Sequence, residues 1–113
     1  MTMRALIEEL VAAWQAGDAL RASAFFAPDG RYHEAGREPI VGREAIREHF
    51  QRFFRDGPPW RFDLETSVVE GERAAIAYRF ALRAQDGQWR TSAGCALAHR
   101  EGGLLIEWRE YQG

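Results

Sequence analysis

The chain changes rhythm halfway along. Over residues 2–16, Leu6, Leu10, Ala13 and Trp14 recur at three- and four-residue intervals and make one apolar stripe, the mark of an amphipathic helix. Thr2 is placed to cap its start, and Gly17 stands where helices commonly end in a left-handed residue. Asp18 can cap a short second helix over 19–26, which Pro28 and Gly30 stop. A third helix is expected after Gly42, with Glu44 in its first turn and Ile46, Phe50 and Phe53 on its inner face. It runs to Phe54, and Gly57-Pro58-Pro59 ends it. Two short extended pieces, 31–35 and 38–41, lie between the second and third helices. From Trp60 onward the period is two. Trp60, Phe62, Leu64, Thr66 and Val68 alternate with polar residues, and Ile76, Tyr78, Phe80 and Leu82 alternate with Ala77, Arg79, Ala81 and Arg83. Further strands cover 88–99 and 104–111. The breaks at Glu70-Gly71-Glu72, Asp86-Gly87 and Glu101-Gly102-Gly103 suit hairpins, because Asp-Gly readily takes positive φ. Helices first and a meander second define an α+β fold with the helices on one side of the sheet.

The alternation also assigns faces. Tyr78 and Phe80 are the bulky, inward side of their strand. On the next strand Cys95 and Leu97, with Ala93, are expected inward, and Ser92, Gly94, Ala96 and Ala98 outward. The outer face is then small-residued and studded with arginine, a surface that a second copy could cover, so a homodimer through it with twofold symmetry is expected.

Composition narrows the field. With 113 residues, 46% of them hydrophobic, the chain suits one domain over 1–113 that needs no disulfide. Fifteen basic residues, all arginine, against 17 acidic ones give a charge of -2, which offers no footprint for nucleic acid or an anionic membrane. Glu8 and Glu9 interrupt the opening apolar residues, and no run approaches the ~20 residues of a span, so a cytoplasmic protein is expected. Cys95 is the single cysteine. His33, His49 and His99 lack ligand spacing, and His49 suits a half-buried structural place at the edge of its helix stripe. No metal and no cofactor are expected.

Chemistry is suggested by polar residues on apolar faces. Tyr32 and Glu34 share one face of the first extended piece, Glu110 shares parity with Ile106 and Trp108, and Tyr78 sits between Ile76 and Phe80. A carboxylate left ionised and unpaired in an apolar pocket costs several kcal/mol. It must pair, for instance with Arg31 or Arg109 at a rim, or be hydrated or protonated. If two share a pocket, one is pushed toward the neutral range, where acid–base work is possible. Glu34 is the expected general base, Glu110 the acid or water-positioning group, and Tyr32 and Tyr78 hydrogen-bond donors. Trp14, Trp60, Phe62, Phe80 and Trp108, with Leu10, Cys95 and Leu97, are the expected walls around a small apolar molecule.

Helix, Gly17-Asp18, a short helix ending Phe25-Phe26-Ala27-Pro28-Asp29, then Tyr32-His33-Glu34, Val41-Gly42-Arg43-Glu44-Ala45-Ile46-Arg47 and the closing Trp108-Arg109-Glu110-Tyr111 form a familiar series. The chain resembles the nuclear transport factor 2-like superfamily, and within it the SnoaL-like branch named after a polyketide cyclase. The resemblance implies a cone: a curved antiparallel sheet of four long strands plus a short strand pair, packed on three helices around a deep pocket. Members include enzymes, binding modules and transport adaptors, so fold alone does not fix activity. In ketosteroid isomerases the base is an Asp where Glu34 stands, but the places of the two oxyanion donors hold Leu10 and Cys95. Loss of one such donor costs roughly 10²–10³ in rate, so that isomerisation is not expected. Against limonene epoxide hydrolases, Tyr32, Glu34 and Glu110 match the water-holding positions, the last two with changed side chains. The accompanying Arg and Asp are replaced by Tyr78 and Phe80. What the resemblance implies is a small-molecule pocket protein, as a cofactor-free hydrolase, isomerase or cyclase or, alternatively, a non-catalytic binding module or dimeric scaffold.

Overall fold

The computed structural model describes residues 1–112; Gly113, the last residue of the expected domain, lies outside the described residues. Helix α1 (Met3–Gln15) opens at Thr2, whose side-chain oxygen accepts the backbone N–H of Ala5 at 3.0 Å. Gly17 follows it in the left-handed region with φ 68°. Asp18 caps α2 (Ala19–Ala24) by accepting from the N–H of Arg21. That helix is shorter than its pattern suggests, because Phe26 already belongs to strand β1 (Phe26–His33), where its ring is fully buried. Strand β2 is only Ile40–Val41, and α3 spans Arg43–Asp56. The long strands β3 (Trp60–Glu70), β4 (Arg73–Arg83), β5 (Trp89–Glu101) and β6 (Leu104–Gln112) are joined by tight turns.

The six strands make one curved, unclosed sheet in the order β2-β1-β6-β5-β4-β3. All neighbours are antiparallel except β1 and β6, which run parallel, with Tyr32 beside Trp108. This junction carries the early residues Tyr32 and Glu34 to the end of the last strand. Helices α1 and α3 lie on the concave side, where Leu6, Leu10, Ile46, Phe50, Ile76 and Leu105 bury almost completely. Gln15 anchors the end of α1 to the sheet by donating to the backbone carbonyl of Phe62.

The inward face of β5 is the reverse of the expectation. Gly94, Ala96 and Ala98 pair with Tyr78, Ile76 and Ala74 of β4 and with Gln112, Glu110 and Trp108 of β6, and Ala96 and Ala98 are buried. Cys95 is exposed and Leu97 is 47% exposed, both on the convex side. Volume explains this. Large rings from β4 and β6 lie across β5 on the concave side, so only small residues fit beneath them. A Cβ on Gly94 would come within 2.5 Å of the Tyr78 ring and hydroxyl. Cys95 and Leu97 therefore do not line the cavity on the concave side. A second departure is on β3, where the register shifts between Leu64 and Thr66. The extra residue flips the alternation, so Val69 packs on the core and Val68 is left 69% exposed on the convex face.

Candidate functional site

A cavity of about 300 Å³ opens between α3, the end of α1 and the concave sheet. Trp14 comes from α1, Tyr32 and Glu34 from β1 and the residue just past it, and His49, Phe50, Phe53 and Phe54 from α3. Trp60 and Phe62 are supplied by β3, Tyr78 and Phe80 by β4, Ser92 by β5, and Glu110 and Gln112 by β6; Arg37 stands on the loop after β1. All four expected polar residues, Tyr32, Glu34, Tyr78 and Glu110, are thus brought together. Of the expected walls, Trp14, Trp60, Phe62 and Phe80 line the cavity. Leu10 does not: it is fully buried in the core between α1 and the sheet. Trp108 is fully buried too, but it acts on the site from behind.

Its indole Nε1 donates to Glu110 Oε2 at 3.0 Å. Because β6 alternates, Trp108 and Glu110 share the concave face, and the ring fixes the carboxylate two residues on. Burial pushes the Glu110 carboxyl up to about 7, and the negative charge of Glu34 adds to that shift. The Trp108 N–H, Tyr32 and His49 oppose it by favouring the ionised form. Burial, reinforced by Glu110 and Glu34, also holds the Tyr32 hydroxyl protonated well above its ordinary range. Tyr78 is raised as well, chiefly by burial.

Glu34 does not pair with Arg31 or Arg109. Its Oε1 lies 3.1 Å from His49 Nε2, with both side chains partly buried. His49, expected only in a structural place, is thus part of the candidate site. Its signal was present: it stands three residues after Ile46 and four before Phe53, on the inner face of α3. Arg37 and Gln112 escape a reading of the sequence, since loop and strand-end residues carry no periodicity to mark them; Ser92, expected on the outer face, lines the cavity because the inward face of β5 is reversed.

The Tyr78 ring stacks on Phe62 with centroids 4.6 Å apart, and its hydroxyl rests over Gly94 without a hydrogen-bond partner. Gln112 is near enough to influence its titration but makes no bond of acceptable geometry. Tyr78 therefore supplies wall, not a poised donor. Tyr78→Phe should raise unfolding stability by about 1 kcal/mol, because a buried unsatisfied hydroxyl is a net cost. Urea denaturation checks this; a loss of stability would show that the hydroxyl has a partner in solution.

Fold and site together define a protein of the cone-shaped α+β class, with an aromatic hollow holding two carboxylates and a histidine. The chain belongs to the SnoaL-like domain family, whose sequence model matches residues 7–108. No curated protein matches it significantly. Among solved structures it is similar to a nuclear transport factor 2-like protein of unknown function from Burkholderia pseudomallei, at 17% identity and TM-score 0.85, covering 97% of this chain and 89% of that one. It is equally similar to a hypothetical protein with a ketosteroid isomerase-like fold from Catenulispora acidiphila, solved in complex with trimethylamine, at 18% identity and TM-score 0.85, covering 97% and 86%. A candidate polyketide cyclase from Xanthomonas campestris shares 20% identity at TM-score 0.81, covering 97% and 89%. Among the described residues no helix is long and apolar enough to cross a membrane, and no group of His, Cys, Asp or Glu side chains is arranged to hold a metal ion.

Proposed function

We propose that the protein binds a small, mainly apolar molecule in the concave cavity and performs cofactor-free acid–base chemistry on it. The observation that carries this reading is the gathering of Glu34, His49 and Glu110 in one aromatic hollow. Glu34, oriented by His49, is the proton acceptor. Glu110 holds the polar head of the guest, and its carboxyl changes state near neutrality because it is buried. Tyr32, neutral beside both carboxylates, is the remaining hydroxyl able to orient a guest. The Catenulispora neighbour solved with trimethylamine is a precedent for a small organic guest on this fold.

A suitable probe is 5-nitrobenzisoxazole, a flat aromatic compound that demands only one base. The base removes the C3 proton, the N–O bond breaks, and a coloured cyanophenolate is released. The wild type should accelerate this saturably, and Glu34→Gln should lower the rate by about 10²-fold. Saturable binding with no acceleration would instead identify the non-catalytic binding module. No binding and no acceleration would defeat the pocket reading itself.

We also propose that a second copy covers the convex face. Thr66, Val68, Ala75, Ala77, Leu97 and Tyr111 adjoin through successive strand pairings there, and Val68, Leu97 and Tyr111 are exposed large side chains that no helix covers. Light scattering should give twice the chain mass, and Leu97→Glu should halve it. A monomeric wild type at high concentration would refute the dimer.

A further inference from the structure

The interior of the cavity has one electrical character. Phe53, Phe54, Trp60 and Phe80 form a partly buried aromatic wall: Phe54 and Trp60 stack with centroids 5.8 Å apart, and Trp60 lies 5.6 Å from Phe53 and 6.1 Å from Phe80. Aromatic faces carry the negative side of the ring quadrupole and attract cations. Two carboxylates, Glu34 and Glu110, line the same space.

The positive groups do not balance them. His49 is engaged by Glu34. Arg37 stands on an exposed turn at the cavity edge and makes no ion pair among the described residues. Glu110 faces only neutral donors, the Trp108 indole and the Tyr32 hydroxyl, and has no ion pair among the described residues. A buried carboxylate without a counter-charge is the costly arrangement that a cation relieves. Two donors of the wall, the Tyr78 hydroxyl and the Trp14 indole N–H, are unpartnered but fully buried.

Resting on the pocket reading above, we propose that the guest is an organic cation, an apolar body with an amine or quaternary ammonium head seated against the Glu110 carboxylate and the aromatic wall. The head supplies the counter-charge that the fold omits, and the rings surround its alkyl groups.

Calorimetric titration of the full chain with three probes of similar shape tests this: phenyltrimethylammonium, tert-butylbenzene, which is the same shape without charge, and benzoate. At about pH 8.5 the ammonium should bind at least about tenfold more tightly than tert-butylbenzene, and benzoate weakest. The preference should shrink at about pH 5.5. The groups facing the head that could contribute to this change are Glu110 of β6, Glu34 and Tyr32 at β1, His49 of α3, Tyr78 of β4 and Arg37 on its loop. Glu110→Gln should erase most of the charge preference while keeping affinity for tert-butylbenzene. Equal binding of ammonium and tert-butylbenzene, or tighter binding of the latter, would overturn the cation and leave the apolar pocket standing. Preference for benzoate would also overturn it, by showing that Arg37 sets the sign. Failure of all three to bind would overturn the pocket and the cation together.

Discussion

Replacing Trp108 with alanine is expected to lower the unfolding free energy by about 3–5 kcal/mol, a large fraction of what holds a small domain together. Trp108 is fully buried where β6 meets β1 and β5, beside Tyr32 in the parallel pairing and Ala98 in the antiparallel one. Its ring meets Trp14 of α1 edge-on at 5.2 Å, so it joins the helix to the sheet. Truncation leaves a cavity that neither neighbour can fill, because Ala98 is small and Trp14 is fixed by Phe50 and Phe62. Chemical denaturation measures the loss; a change below about 1 kcal/mol would mean that the interior repacks freely. Trp108→Phe separates the second role. It keeps most of the apolar volume but removes the N–H that Glu110 accepts. The Glu110 carboxyl should then titrate above about 7, as carbon-13 NMR of the labelled side chain would show.

The second large effect is a dependence of stability on pH that originates at Glu110. Its carboxyl titrates near 4.5 when unfolded and at about 7 when folded, with burial as the main cause. The folded state therefore holds the proton more tightly. This contribution is fully present below about 4.5, fades as pH rises through the interval, and is gone above about 7. In the opposite sense, the ionised carboxylate burdens the fold at alkaline pH by about 3 kcal/mol. Glu110→Gln, which cannot ionise, should be less destabilised than the wild type as pH rises from about 4.5 to 8. The difference between the two proteins isolates this group from every other carboxylate. Parallel stability curves for the two would show that Glu110 is solvated in solution. A ligand cation present above pH 7 should flatten the wild-type curve, since it stabilises the ionised form.

Both effects depend on residues that were visible in the sequence, at different levels of detail. The alternation of β6 places Trp108 and Glu110 on one face without any structure. The period-two pattern cannot give the bond between them or the degree of burial that moves the carboxyl. His49 shows the same limit. Helical spacing puts it beside Phe50 and Phe53, but its partner Glu34 is 15 residues earlier and on another element, and only the packing of α3 against β1 brings them to 3.1 Å.

Cys95 and Leu97 show where the pattern misleads. Hydrophobicity ranks them as inward residues, yet Gly94, Ala96 and Ala98 take that side because Tyr78 and Trp108 already fill the space above them. The extra residue on β3, between Leu64 and Thr66, likewise reverses Val68 and Val69, and an alternating pattern carries no mark of it.

Local pattern alone gives the three helices (though not the end of α2), their caps at Thr2 and Asp18, the left-handed Gly17, the meander and the family, because each depends on neighbours a few positions apart. Which side of β5 faces inward, which residue pairs with Glu34 and how dry the Glu110 carboxyl is follow from the folded packing. Those outcomes depend on volumes and charges brought together from distant parts of the chain, and these meet only once the sheet has curved around its helices.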